Sequence, residues 1–233
     1  MNKNYIDEAA KDGKDYLIAS KKFFQRHSSK MVEANHYQHN LEPNYWNIML
    51  RDLKENDQFI GKSCLEYGCG AGRNLVNMSI LGGFSRADGI DISKTNAKNA
   101  QKFAEEKLKS YSTKIACLEG DGYTCLPFKN ESYDFIISHQ VFIHIPNYSV
   151  RCSIVSDVKR ILKNGGIFIT HFKTIGDNVG YFENYSKFPK NVEPSSSKEI
   201  EDDFSQFGFS DLKVIEAENF VDNKPEWFVR CIK

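Results

Sequence analysis

The residues best suited to chemistry form one glycine-rich segment, Leu65-Glu66-Tyr67-Gly68-Cys69-Gly70-Ala71-Gly72. It follows a predicted strand and opens a predicted helix, so its glycines can turn tightly and bring backbone N–H groups against a ligand. The spacing is Gly-x-Gly-x-Gly, whereas a dinucleotide fold favours Gly-x-Gly-x-x-Gly. Glu66 lies just ahead of the first glycine, where its carboxylate disfavours a pyrophosphate and suits a cation. The segment predicts a site for a cationic ligand, with a ligand-free tight turn as the alternative.

Two further carboxylates follow the next two predicted strands. Asp91 ends the second strand, 21 residues after Gly70, where it can accept both hydroxyls of a ribose. Asp121, followed by Gly122, comes after the third strand, in position for an adenine amino group. Each could instead be an ordinary strand-end or turn aspartate. Their joint spacing favours a ligand that contains a nucleoside.

Three of the six histidines lie at predicted strand ends, on the same edge as the glycine segment: His139, His144 and His171. His144 is our candidate for a base that deprotonates an acceptor hydroxyl, and a structural or substrate-shaping role is the favoured alternative. His171 could be either a base or a strand-end residue. In the N-terminal part, His36-x-x-His39 fits one helical face, but no cysteine or carboxylate set accompanies it. We therefore predict no metal site.

An alternation of strands and helices from about residue 62 must position these side chains. The first five predicted strands are Lys62–Tyr67, Ala87–Ile92, Lys114–Leu118, Tyr133–Ser138 and Gly166–His171. Helical patterns between most of them imply right-handed crossovers and an α/β fold, with a parallel sheet covered by helices on both faces. Gly165 and Gly166 are expected to end the helix before the fifth strand. Two last strands, Phe209–Ala217 and Glu226–Ile232, have no helix between them and should pair as an antiparallel hairpin at the sheet edge.

The flanking segments predict a cap and a loop around this sheet. Residues 1–58 contain no good strand and predict an N-terminal helical cap on a domain spanning residues 59–233. Residues 172–195 form a long connection that carries aromatic side chains, which favours a substrate loop over disorder. Tyr37, Tyr181 and Tyr185 are candidate contacts to the substrate, and simple packing on the body is the alternative.

Composition excludes several classes of protein. Lys+Arg and Asp+Glu both number 31, so net charge gives no general attraction to nucleic acid or an anionic membrane. We find no apolar run of membrane-spanning length and no secretion signal. The six cysteines form no Cys-x-x-Cys pair and indicate a reducing compartment. We expect a cytoplasmic protein without nucleic-acid or membrane partners.

Taken in order, these motifs resemble the class I S-adenosylmethionine-dependent methyltransferases of small-molecule type. The matching segments are Leu65–Gly72, Gly89–Ser93, Gly120–Gly122, Leu126–Phe128, Tyr133–Phe135 and Arg160–Gly166. The resemblance covers about residues 60–172 and, more loosely, the last strand pair. It implies a Rossmann-like, seven-stranded, mostly parallel sheet with an antiparallel last strand.

The resemblance also implies S-adenosylmethionine as cofactor and S-adenosylhomocysteine as product. The cofactor-binding residues that it implies are Glu66 near the methionyl amino group, Tyr67, Gly68 and Gly70 in the glycine segment, Asp91 and Ile92 at the ribose and adenine, Asp121 and Gly122 at the adenine edge, and Ser138 and His139 at the methionine part.

The implied activity is in-line methyl transfer to an oxygen or nitrogen of a small metabolite or sugar. A non-catalytic, cofactor-binding partner subunit of the same fold is the main alternative. A nicotinamide-dependent oxidoreductase is disfavoured by the glycine spacing and by Glu66. A nucleic-acid methyltransferase would show an Asn/Asp-Pro-Pro-aromatic segment where this chain has Ser138-His139-Gln140-Val141. The identity of the acceptor and the oligomeric state stay open.

Overall fold

Seven strands form the centre of the molecule. The computed structural model describes residues 4–37, 59–145, 147–173, 197–217 and 226–233, and only the backbone of residues 30–37, 173, 199, 217 and 226. The strands are β1 (Ser63–Tyr67), β2 (Arg86–Asp91), β3 (Lys114–Glu119), β4 (Tyr133–Ser138), β5 (Leu162–Lys173), β6 (Ser210–Ala217) and β7 (Glu226–Ile232). The helices are α1 (Tyr5–Asp12), α2 (Lys14–Tyr37), α3 (Arg73–Gly82), α4 (Lys94–Lys107), α5 (Tyr148–Ile161) and α6 (Ser197–Ser205), with a 3-10 turn at Phe142–His144.

The strand order is β3-β2-β1-β4-β5-β7-β6. β1 to β5 are all parallel, and β7 pairs antiparallel with both β5 and β6. This confirms the predicted Rossmann-like sheet and its C-terminal hairpin. Within the hairpin, β7 is the inner strand and β6 forms the edge.

One predicted boundary is wrong, at the junction of α5 and β5. The helix ends at Ile161 and the strand begins at Leu162, rather than at Gly166. Leu162 already has an extended backbone, with a ψ of 140°, and pairs with Tyr133. The two glycines expected to end the helix therefore lie inside the strand, where Gly165 takes a φ of +74° next to an irregular stretch of pairing.

The strands alternate their side chains between two apolar layers, as a sheet covered on both faces requires. Leu65, Ile136 and Phe168 face a layer that includes residues of α1, α2, α5 and α6. Phe135 and Ile137 face the opposite layer, with residues of α3 and α4. Helices α3, α4 and α5 follow β1, β2 and β4, so their N-termini lie near the carboxyl edge of the parallel strands, where a ligand site is expected.

Helix α2 lies across that carboxyl edge. The Tyr16 hydroxyl donates to the backbone oxygen of His144 at 2.9 Å. Lys21 forms an ion pair with Glu119 at the end of β3, and the side chain of Gln25 contacts the first residues of α4. These contacts hold the N-terminal helix as a wall beside the strand ends. Among the described helices, none is long and apolar enough to cross a membrane.

Phe168→Ala should test the apolar layer beneath α5. Phe168 is 0% exposed and lies near the rings of Phe142 and Phe204. We expect a loss of about 3–5 kcal/mol in the free energy of unfolding, because the cavity left behind cannot fully collapse. Urea titration measures it. Ile80→Ala, at a side chain that is 39% exposed on α3, is the control and should cost much less; equal losses would contradict this packing.

Candidate active site

A cavity of about 560 Å³ opens at the carboxyl edge of the sheet. Its walls are the glycine segment, the ends of β2 and β4, the start of the β3–β4 connection and one face of α2. A volume of this size is typical of sites for small molecules.

The glycine segment forms the floor of the cavity because its backbone takes conformations that favour glycine. Gly68 and Gly70 have φ values of +77° and +52°. A Cβ added at Gly68 would lie 2.2 Å from Cγ2 of Val141, so no other residue fits there without displacing that side chain. At Gly70 a Cβ would meet no atom within 4 Å, which leaves open space on the cavity side.

The carboxylate of Asp91 ties the end of β2 to this floor. It accepts hydrogen bonds from the backbone N–H of Gly70 at 2.9 Å and of Ser93 at 2.8 Å, and from the side-chain amide of Asn96 at 3.3 Å. Burial raises the pKa of Asp91 to about 6, against the lowering effect of these donors. Asp91 at the end of β2 and Gly70 in the glycine segment are therefore in direct contact.

Glu66 is the most deeply buried charged group of the cavity wall, with 2% exposure. Its Oε1 accepts from the side-chain amide of Asn74 at 2.6 Å. Its Oε2 is buried and has no hydrogen-bond partner among the described residues. Burial raises the pKa of Glu66 to about 8, and the nearby charge of Arg73 opposes that rise. A cation placed beside Glu66 would favour its ionised form.

Most of the predicted cofactor contacts lie on the cavity wall. Besides Glu66, Gly68, Gly70 and Asp91, the lining includes Tyr67, Ile92, Gly122 and His139. Ser138 does not reach the wall; it is fully buried and its hydroxyl donates to the backbone oxygen of Tyr67. Asp121 also lies off the wall, since its carboxylate accepts from the backbone N–H groups of Tyr123 and Thr124. Asp121 thus shapes its own loop.

Three histidines come together at the ends of β4 and β5. His139 stacks on His171 with 5.2 Å between ring centroids, and the edge of the Phe24 ring meets His144 at 5.8 Å. Burial, with the charge of His171, lowers the pKa of His144 to about 4 and lowers that of His139. His139 and His144 line the cavity and are therefore neutral at physiological pH.

The side chains of the three predicted substrate contacts lie outside the part of the chain that the structure describes. Tyr37 is the last residue of α2 and is described by its backbone only, and Tyr181 and Tyr185 lie outside the described residues. Their roles stay predictions.

Sequence reasoning predicted a helical cap that includes α2 but did not identify the face of α2 that lines the cavity. That face carries Tyr16, Ser20, Phe23, Phe24 and His27. As a substrate contact, the prediction named only Tyr37 from this helix. The polar Ser20 and His27 among its aromatic residues were the signal that it borders a ligand site, because a purely structural face would not need them.

Comparisons with known proteins agree with this geometry. The sequence profile of the methyltransferase-domain family matches residues 65–170. This segment of the chain is therefore similar to methyltransferase domains. The chain is 29% identical over 157 residues to an uncharacterised protein of Methanocaldococcus jannaschii. The aligned residues make up 66% of this chain and 67% of that protein.

Two further proteins similar to this chain have named activities. A sarcosine/dimethylglycine N-methyltransferase of Aphanothece halophytica is 33% identical over 110 residues, which is 47% of this chain and 37% of the relative. The fold matches Haemonchus contortus phosphoethanolamine N-methyltransferase 2, solved with phosphomonomethylethanolamine and S-adenosylhomocysteine, with a TM-score of 0.58 and 19% identity over 81% of this chain and 52% of that one. The chain thus spans little more than a third of the first enzyme and about half of the second.

S-adenosylmethionine is the cofactor that the comparisons support, and the residues present fit it. The unpartnered Oε2 of Glu66 suits the cationic amino group of the cofactor. The open space over Gly70, next to the carboxylate of Asp91, suits a ligand that lies against the backbone.

Glu66→Gln should change the pH dependence of stability. The pKa of Glu66 is about 8 in the folded protein against 4.5 for an ordinary glutamate, so the folded state binds this proton more tightly. The contribution of Glu66 to the free energy of unfolding is therefore complete below about pH 4.5 and is lost as the pH rises toward 8. Relative to the wild type, the variant should gain a few kcal/mol between about pH 5 and pH 9 in urea titrations.

The matched control for this experiment is Glu105→Gln, at an exposed carboxylate of α4 that accepts a hydrogen bond from the side-chain amide of Gln101. It should leave the pH dependence of the unfolding free energy unchanged. A constant difference between wild type and Glu66→Gln at all pH values would show that the carboxyl titrates normally in the fold.

Proposed function

We propose that this protein transfers the methyl group of S-adenosylmethionine to an oxygen or nitrogen of a small metabolite or sugar. The observation that carries the proposal is the buried carboxylate of Glu66, with one unpartnered oxygen, beside a glycine floor at the carboxyl edge of the sheet. A carboxylate there stabilises a cationic ligand and would repel a pyrophosphate. S-adenosylmethionine is such a cation and supplies an electrophilic methyl group when bound.

We assign the cofactor contacts from the floor outward. Glu66 holds the methionyl amino group, and the backbone of Gly68 and Gly70 lies along the cofactor. Asp91 accepts from the ribose through Oδ2, which keeps a lone pair besides the one that binds the Gly70 N–H. Its Oδ1 already accepts from Ser93 and Asn96. Ile92 and Gly122, which line the same wall, border the adenine.

The acceptor then occupies the part of the cavity between α2 and the turn at Phe142–His144. Tyr16, Phe24 and His144 line this part, and none of them carries a charge at neutral pH. An uncharged aromatic wall suits a small acceptor with an apolar or sugar-like face. The names of the two similar enzymes refer to small-molecule substrates, which supports a small acceptor. A cytoplasmic location and the roles of Tyr37, Tyr181 and Tyr185 stay predictions.

His144 contributes either as the base or by shaping the acceptor site. Because its pKa is about 4, its ring is unprotonated across the physiological range and can accept a proton from an acceptor hydroxyl. Its backbone oxygen is fixed by Tyr16, and its ring by Phe24, so its position is set by α2. An amine acceptor that is already neutral would need only the shaping role.

His144→Gln separates these roles. If His144 is the base, kcat should fall about 10²–10⁴-fold with a small change in KM, and the wild-type rate should decline only below about pH 5. If His144 shapes the site, KM should rise while kcat is kept. S-adenosylhomocysteine formation measures both. His27→Gln, at a histidine that lines the cavity from α2, is the control. Equal effects of both variants would contradict a special role for His144.

The cofactor assignment is tested first by thermal unfolding with S-adenosylmethionine, S-adenosylhomocysteine or NAD. A ligand at about a hundred times its Kd should add nearly 3 kcal/mol of stability. We expect shifts with the two sulfur compounds, none with NAD, and loss of the shift in Asp91→Ala, because the ribose and the Gly70 N–H both lose their acceptor. A shift with NAD alone would overturn the assignment.

Turnover separates an enzyme from a non-catalytic, cofactor-binding partner subunit. The protein is incubated with S-adenosylmethionine and fractionated metabolite extracts, and S-adenosylhomocysteine is measured. Formation that depends on one fraction, and that is lost in Asp91→Ala, supports methyl transfer. Cofactor binding without turnover across broad extracts would favour the partner-subunit alternative.

A further inference from the structure

The connection between β3 and β4, residues 120–132, forms one wall of the cavity without helix or strand. We call it the β3–β4 loop. Gly120, Gly122 and Thr124 from this loop line the cavity, while Cys125 is fully buried behind them. The buried residues of such a loop must find partners for their backbone N–H and C=O groups outside regular secondary structure. The site depends on what those partners are.

Helix α5 supplies three of them from one face. The hydroxyl of Ser153 donates to the backbone oxygen of Tyr123 at 2.7 Å. Asp157, one turn later, accepts from the backbone N–H of Cys125 at 2.6 Å. Arg160 follows at the next turn, and its Nη1 donates to the backbone oxygen of Phe128 at 2.9 Å. The helical spacing of these three residues places them on one face, toward the loop. None of them lines the cavity itself.

Asp157 is the central member of this face and is held in one orientation. It is 3% exposed, and it forms a two-point ion pair with Arg160, in which Nη2 lies 3.0 Å from Oδ2. A buried ion pair adds little net stability, because desolvation of the charges offsets their attraction. Its bidentate geometry does fix direction. The pair therefore aims the carboxylate at the Cys125 N–H.

The loop has little room for displacement on its cavity side. A Cβ at Gly122 would lie 2.6 Å from Cδ1 of Ile92 and 3.0 Å from Cδ2 of Leu17, so the loop backbone is packed against β2 and α2. A shift of the loop by a fraction of an ångström changes the wall at Gly122, on the side where Asp91 and Ile92 also line the cavity.

We propose that Asp157 is a positioning residue for cofactor binding: through Cys125 it fixes the β3–β4 loop in the form that receives the adenosine part of S-adenosylmethionine. Asp157 acts from behind the wall and touches no ligand. Loss of its carboxylate leaves the Cys125 N–H without its acceptor and Arg160 without its ion-pair partner, so the loop samples other conformations. The cofactor must then restore order in the loop when it binds, which lowers its affinity.

The test compares Asp157→Ala with Asp134→Ala. Asp134 is a matched control, since it too accepts a backbone N–H, from Ser63 at 2.9 Å, and pairs with a cation, Lys163 at 2.7 Å, but lies away from the cavity. Titration calorimetry of S-adenosylhomocysteine should give at least a tenfold higher Kd for Asp157→Ala and less than a twofold change for Asp134→Ala. 5′-Methylthioadenosine, which keeps the adenosine part, should lose affinity by a similar factor.

Hydrogen exchange gives a readout without any ligand. In Asp157→Ala the amide of Cys125 should exchange at least tenfold faster, while amides of β4 keep their rates. Asp157→Asn keeps an oxygen that can accept from Cys125 and should recover most of the affinity. Ser153→Ala removes a single contact to the loop and should raise the Kd about threefold, which keeps the test available if Asp157→Ala folds poorly.

Several outcomes would overturn the proposal. They are an unchanged Kd for S-adenosylhomocysteine in correctly folded Asp157→Ala, an equal loss of affinity in Asp134→Ala, and normal Cys125 exchange in Asp157→Ala. The proposal would also be overturned if Ser153→Ala kept the wild-type Kd and Asp157→Asn bound S-adenosylhomocysteine as weakly as Asp157→Ala. No acceptor is needed for any of these measurements.

Discussion

The hydrogen bond from the Gly70 N–H to the carboxylate of Asp91 is the interaction on which the site depends. It joins the ends of two neighbouring parallel strands, and it turns the glycine segment back across the sheet edge. The N–H groups of Gly68 and Cys69 reinforce the same turn by donating to the backbone oxygen of Ile90. With the floor fixed in this way, α2, the β3–β4 loop and the histidine turn have a common surface to enclose.

The enclosed site holds carboxylates in a form that water would not favour. Burial raises the pKa of Glu66 to about 8 and that of Asp91 to about 6, so the fold works against their negative charge. A cationic cofactor beside Glu66 lowers the pKa of this carboxyl again, because it stabilises the ionised form. Binding of the cofactor therefore stabilises the folded protein. The same desolvation keeps the neighbouring His144 neutral. One physical cause, exclusion of water, thus shifts the pKa values of both the acidic and the basic groups of the cavity.

The walls of the cavity are made by segments far apart in the chain. Helix α2 closes one side through Tyr16 and Lys21, whose partners lie about a hundred residues later. On the other side, the polar face of α5 centred on Asp157 holds the β3–β4 loop from behind. These contacts fix the shape of the wall more than they stabilise the fold. Buried ion pairs and hydrogen bonds add little to the free energy of unfolding, but their geometry fixes the orientation of the groups they join.

Local spacing was enough to predict the sheet, its helices, the glycine floor and the position of Asp91, because periodicity and glycine content act within a few residues. The start of β5 escaped prediction, since pairing of Leu162 with Tyr133 overrides the stop signal of Gly165 and Gly166. Tertiary structure alone decided that α2 lines the cavity, that the Asp121 carboxylate turns into its own loop, and how far each pKa moves. Those outcomes depend on burial and on contacts between distant segments, and neither is written in the spacing of neighbouring residues.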